Sequence, residues 1–223
     1  YYPQNSPLQT FNPVRIADSR EALGIPAKLA SNTEVQFQVA GLNGVPANAT
    51  SVVLNLTVVD APSGYLTAYP CGTPPPLASN VNAFEGRAVA NLAVVGVGQG
   101  GKVCFIGNSP THLVVDLQGY NGASSDYNAM TPVRVLDTRE TTRVQSYAPV
   151  EVPLRGKFGV PNQADRVTVN VTAVGAVGDA FVTVYSCGTV PTVSSGNTSV
   201  NRIVATLATV DLSAAGSICV LSN

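Results

Sequence analysis

Apolar and polar residues alternate along most of this chain, and the alternation runs through twice. Val35, Phe37 and Val39 share one face of an extended segment, with Glu34, Gln36 and Gln38 on the other. A period of two marks a half-buried strand. Val150, Val152 and Leu154 repeat that pattern further on. A turn follows each, Gly41 to Pro46 in one case and Gly156 to Pro161 in the other. Val52 to Val58 is then matched by Val167 to Ala173, with Asn55 over Asn170 and Thr57 over Thr172. Gly64 to Gly72 is matched by Ala180 to Gly188, Ala88 to Val95 by Ile203 to Val210, and Lys102 to Ile106 by Ser217 to Leu221.

Each round opens on a related octapeptide: Pro13-Val-Arg-Ile-Ala-Asp-Ser-Arg20 and Pro132-Val-Arg-Val-Leu-Asp-Thr-Arg139. The chain is therefore a tandem repeat of units of about a hundred residues. The polar stretch 121–130 reads as the linker, which predicts a first unit over 1–122 with an N-terminal lead-in over 1–12 and a second over 123–223. Residues around Glu21-Ala22-Leu23 form the one helix candidate, broken after a turn by Gly24 and Pro26. About six or seven short strands per unit predict an all-β chain of two tandem β-barrel-like units. Two such units share the double-barrel architecture of chymotrypsin-like folds, an analogy that carries no activity. The first unit continues into a further strand, Thr111 to Tyr120, for which the second unit has no counterpart. An unpaired sheet edge invites a cover, here the lead-in or a strand from a protein partner.

Hydrophobic residues make up 45% of the chain and charged ones 11%, so composition excludes a disordered chain. A net charge of -1 with no basic run argues against a nucleic-acid partner. No apolar run reaches the roughly 18–20 residues that membrane insertion requires. The opening residues lack the charged start and apolar middle of a signal peptide, so an exported chain would here be in its mature form. The four cysteines fall at matching places in the two units. Of the three possible connectivities, the simplest is Cys71–Cys104 with Cys187–Cys219, which implies an oxidising, extracellular setting. No metal or other cofactor is expected: a close Cys-x-x-Cys pair is absent, and His112 is the lone histidine.

Candidate chemistry is sparse. A triad would have to use His112, with Asp116 on the same strand face but roughly 13 Å along it. No serine sits in a glycine-flanked nucleophile motif, so no catalytic residue is expected. Asp60, Glu85, Asp116, Asp179 and Asp211 are scattered, and nothing marks a facing pair for glycoside hydrolysis. The glycine-rich loop 96–101 joins two strands rather than opening a helix, and reads as a hairpin loop. Asp18 with Arg20, and Asp137 with Arg139, share a strand face and read as structural ion pairs tying a neighbouring turn. Asn48, Asn55, Asn170 and Asn197 begin sequons. Tyr69 and Tyr185 are repeat-equivalent rings beside cysteines. With Asn55 and Asn170 they are the candidate ligand-binding residues, aromatic faces for stacking a sugar and amides for its hydroxyls.

The octapeptide, the Gly-Val-Pro turn, Val52-Val-Leu-Asn-Leu-Thr-Val58, Gly64-Tyr-Leu-Thr-Ala-Tyr-Pro70 and Thr111-His-Leu-Val-Val-Asp-Leu-Gln-Gly-Tyr120 together resemble a repeat of exported actinobacterial proteins. There it is a non-catalytic module appended to cell-wall amidases and other hydrolases. The chain is also similar to the lectin-type subunits of umbrella toxin particles from Streptomyces-like bacteria, which carry degenerate trypsin-like folds. Ala17 departs from the pattern, where a large apolar residue is preferred. The resemblance implies a secreted, non-enzymatic, lectin-like protein that binds a surface glycan or cell-wall polymer as a subunit of a larger toxin assembly. The alternative is a structural or adhesive surface module without a small ligand.

Overall fold

The computed structural model describes residues 8–223, and the first part of the expected lead-in lies outside them. The chain is all-β, divided into two compact units, the first running to Pro132 and the second spanning Val133–Asn223. The division falls ten residues beyond the expected 122/123 boundary, because the linker folds back on the first unit. Within it, Ser125 Oγ donates to Asn121 Oδ1 at 3.1 Å and Tyr127 N–H to Ser125 Oγ at 3.0 Å.

Among the described residues the first unit has eight strands: β1 (Leu8–Asp18), β2 (Val35–Gln38), β3 (Ser51–Val59), β4 (Ser63–Pro70), β5 (Val81–Phe84), β6 (Val89–Gly96), β7 (Lys102–Gly107) and β8 (His112–Asn121). They form two antiparallel sheets, in the orders β1-β8-β3-β6 and β2-β7-β4-β5. Alternation decides which side chains go inward. Val52, Leu54, Leu56 and Val58 of β3 are buried, while Asn55, Thr57 and Val59 lie on the outer face. Leu113, Val115 and Leu117 of β8 join them, and both sheets contribute to one core with Leu66, Ala68, Val103 and Phe105. Neither sheet closes, so the expected barrels give way to paired open sheets.

The second unit contains β9 (Val150–Pro153), β10 (Arg166–Ala173), β11 (Ala180–Ser186), β12 (Gly196–Thr198), β13 (Val204–Asp211) and β14 (Ser217–Ser222). Its sheet β12-β11-β14-β9 reproduces β5-β4-β7-β2 strand for strand. Its other sheet is reduced to β10-β13, the equivalents of β3 and β6. The octapeptide, which extends β1 in the first unit, forms no strand over 132–137. The core shows the cost. Among the described residues only Val152, Leu154, Val184, Leu212 and Ile218 are buried in the main cluster, with Val135, Val167, Val169 and Val171 half-buried around them.

Two expectations change. The helix around Ala22 is instead a turn, closed by reciprocal Asp18–Leu23 backbone bonds of 2.9 and 3.0 Å. Ala22 has φ 55°, a left-handed conformation that a right-handed helix cannot contain. The described part of the lead-in is part of strand β1 of the first unit, pairing Leu8 with Asn121 and Thr10 with Gly119. Gly119 is required there, since an added Cβ would lie 2.4 Å from the Gln9 carbonyl oxygen.

Cys71–Cys104 and Cys187–Cys219 are both formed, with sequence separations of 33 and 32. They point to an oxidising compartment. Each ties the end of one strand to its central neighbour, where Tyr69 faces Cys104 and Tyr185 faces Cys219. Replacing Cys71 and Cys104 by Ser should lower the stability of the first unit by about 3–4 kcal/mol, the chain-entropy value for a loop of this length. Urea unfolding with and without the substitutions measures it, and an unchanged midpoint would contradict that role.

Candidate functional site

The repeated octapeptide builds a compact charged cluster in each unit. In the first, β1 ends at Asp18, which is 2% exposed. Its carboxylate accepts Arg20 Nε at 2.9 Å, Arg20 Nη2 at 2.6 Å, the Arg20 backbone N–H at 3.1 Å and Arg15 Nη1 at 3.4 Å. The Arg20 hydrogen bonds outweigh burial and hold the Asp18 carboxyl at about 2. Asp137 repeats this with Arg139 Nε at 2.8 Å, Nη2 at 2.5 Å and backbone N–H at 3.1 Å, plus Arg134 Nη1 at 2.8 Å. Its carboxyl is likewise held far below the usual range, chiefly by Arg139. The four residues are turn-tying ion pairs, and each carboxylate replaces backbone partners that the bend cannot supply.

The next row of polar residues runs across the outer face of the first sheet. Arg15, Asp116 and Asn55 are cross-strand neighbours on β1, β8 and β3. Arg15 holds Asp116 with both nitrogens of its fork, Nε at 2.8 Å and Nη2 at 3.2 Å. In the second unit Asn170 takes the place of Asn55 and Arg134 that of Arg15, but among the described residues no strand lies between them. Among the described residues Arg134 has only Asp137 as an ionic partner.

The two tyrosines are not a ligand platform. Tyr69 is fully buried and Tyr185 is 7% exposed. Each packs in a small cluster with the cysteines of its unit's disulfide. The Tyr69 hydroxyl donates to Glu34 Oε2 at 2.5 Å. Burial raises the Tyr69 phenol, while this bond lowers the Glu34 carboxyl. A ring with no open face cannot stack on a sugar, which corrects the expectation for both positions. Asn55 and Asn170 remain half-buried on outer sheet faces.

His112 does find a serine, though one that sequence spacing could not indicate. Ser19 Oγ lies 3.0 Å from His112 Nδ1 and accepts the Leu113 N–H at 2.9 Å, while the Ser19 N–H donates to the Leu113 carbonyl at 3.0 Å. Ser19 is 4% exposed and no carboxylate hydrogen-bonds the imidazole among the described residues. The pair clamps the start of β8 onto the turn after β1. Thr138 holds the equivalent hydroxyl in the second unit.

The scattered carboxylates are largely neutralised. Asp60 pairs with Lys28 at 2.6 Å, Asp211 with Arg166 at 2.6 Å, and Asp116 with Arg15. The described residues contain no group of three or more His, Cys, Asp or Glu positioned around a metal ion. Loop 96–101 is not the expected hairpin, since it crosses from β6 in one sheet to β7 in the other, with a single turn of 3-10 helix over Gln99–Gly101. A shallow hollow in the second unit, lined by Val171, Ala173, Val182, Val204 and Thr206, carries no titratable group. No helix among the described residues is long and apolar enough to cross a membrane.

No protein-family model, curated protein or solved structure matches this chain.

The Asp18 carboxyl sets a pH dependence with a definite sign. A carboxyl lowered on folding stabilises the protein fully above its ordinary range, near pH 4, and loses that contribution as pH falls towards about 2. Thermal melts from pH 7 to 2 should therefore show a fall between about pH 4 and 2 that is shallower in Asp18→Asn. Equal slopes in the two proteins would contradict the assignment.

Proposed function

We propose that this chain is a secreted, non-enzymatic binding protein that works as a subunit of a larger extracellular assembly, docked through its second unit. The observation that carries the reading is the reduced β10-β13 sheet, set against an intact four-stranded counterpart in the first unit. Among the described residues β10 forms its strand ladder with β13 alone, over a half-buried apolar face, and an assembly partner would cover both. The two disulfides support an exported protein, since such bonds persist in oxidising compartments. The resemblance to exported actinobacterial repeats and to toxin-particle subunits agrees with both parts. Recognition of a surface glycan or cell-wall polymer would fall to the outer face of the first sheet, where Arg15, Asp116 and Asn55 present planar polar groups in one row.

The burial of Tyr69 and Tyr185 favours a second reading, a structural or adhesive surface module without a small ligand. Affinity capture from culture supernatant with the tagged chain, followed by mass spectrometry, tests the assembly. Stoichiometric recovery of another secreted protein is expected, and recovery of the chain alone would count against it. A glycan array separates the two readings. Binding abolished by Asn55→Ala supports the lectin-like one, and a blank array supports the structural one.

A further inference from the structure

One turn differs between the two units in a way that the fold does not require. In the first unit the Gly41 N–H donates to the Val45 carbonyl and the Val45 N–H to the Leu42 carbonyl, both at 2.9 Å. Asn43 and Gly44, between them, have φ 52° and 83°. This is the type I′ turn, left-handed at both central residues, and Asn-Gly is the pair that suits it best. Gly156–Val160 repeats the turn bond for bond, at 2.8 Å each, with φ 53° and 84° at its centre. The central residues there are Phe158 and Gly159. A bulky ring at a left-handed position is an outlier. Packing does not explain it, because Phe158 is 43% exposed and belongs to neither apolar cluster of its unit. Position 43 is exposed as well in the first unit, where β8 is in place, so the exposure of this turn does not depend on that strand.

Charge changes at the same turn. Arg155 and Lys157 stand where the first unit has Ala40 and Leu42. Arg155 donates from Nε to the Ala164 carbonyl at 3.2 Å and from Nη1 to the Ala214 carbonyl at 3.1 Å, neutral acceptors that orient the guanidinium without cancelling its charge. Among the described residues neither cation pairs with a carboxylate. Asn162 replaces Ala47 and sets its amide against the turn, since a Cβ added to Gly156 would lie 2.6 Å from Asn162 Oδ1. The exchange of Asn for an exposed ring recurs before β9. Tyr147, at φ 57° and 70% exposed, takes the place of Asn32, at φ 54°.

We propose that the turn Arg155–Asn162 is a binding site for an acidic glycan, one that carries uronate, sulfate or phosphate groups. Phe158 offers its ring to the apolar C–H face of a sugar, Lys157 and Arg155 supply charge for the anionic groups, and Asn162 offers an amide to the hydroxyls. This inference rests on the reading of the chain as a glycan-binding protein and adds a second site and a ligand class to it. The turn is held by its own backbone bonds, so little freedom is lost on binding. Two cations in a chain of net charge -1 disfavour nucleic acid or an anionic membrane, which draw on many.

The test places the intact chain on an array of neutral and acidic glycans, then measures affinity for the strongest member by titration calorimetry. Binding is expected to acidic members only, and to weaken as salt is raised. Lys157→Glu and Phe158→Asn should each weaken it at least fivefold, and Phe158→Tyr should retain it. Phe158→Asn restores the favoured Asn-Gly turn, so its melting temperature should rise, which separates lost binding from lost folding. A lower melting temperature would make the ring a packing residue and overturn the proposal. Binding confined to neutral glycans, indifference to Lys157→Glu or to Phe158→Asn, or equal affinity for duplex DNA would overturn it too. Binding lost in Asn55→Ala but kept in both turn variants would leave the glycan reading on the first sheet and remove this site. A blank array would end both.

Discussion

A β-strand is stable only if its backbone groups are paired, and β8 is the strand on which the first sheet depends. It is the sole link between β1 and β3, so the sheet exists as four strands only while β8 is in place. Among the described residues the second unit has no equivalent of β8. Pro13–Asp18 lies within an extended strand, whereas Pro132–Asp137 forms no strand, although the two segments differ mainly at Ala17 and Leu136. Local propensity is equal in the two places, and the hydrogen-bonding neighbour makes the difference. Ala17 is sealed while Leu136 is 38% exposed, a second consequence of the same cause.

What survives in both units is local. The Asp-x-Arg turn closes on itself through a carboxylate two residues from its guanidinium, and needs no distant partner. The disulfide joins adjacent strands of the complete sheet, and its tyrosine neighbour is buried with it. These features give each unit a rigid half. They leave the other half, the octapeptide and β10, as the part that responds to a neighbour. The two units as described therefore differ in one sheet only, four strands in the first and two in the second.

Much of this was legible in the chain. The period-two alternation placed the strands from Val35 onward, and the repeat paired Cys71 with Cys104 and Cys187 with Cys219 because equivalent positions must obey the same geometry. The Asp18 and Asp137 ion pairs were legible from a spacing of two residues. Contacts that depend on sheet order were not. Ser19 meets His112 across a separation of 93 residues, which no local pattern encodes. Alternation shows that Tyr69 and Thr67 share a strand face, but not that this face is covered. Nor does it distinguish closed barrels from paired open sheets, which is a question of edge pairing. The turn at Ala22 carried helix-forming residues, and the Asp18–Leu23 bridge overrode them.

Amide hydrogen exchange on the intact chain tests the central claim most directly, by comparing β3 with its repeat-equivalent β10. Exchange reads backbone pairing residue by residue. The account predicts protection along both edges of β3. In β10 it predicts slow exchange only for amides directed at β13, with the alternate amides exchanging fast. Protection of β10 as complete as that of β3 would show the second sheet to be already closed, and would contradict the account.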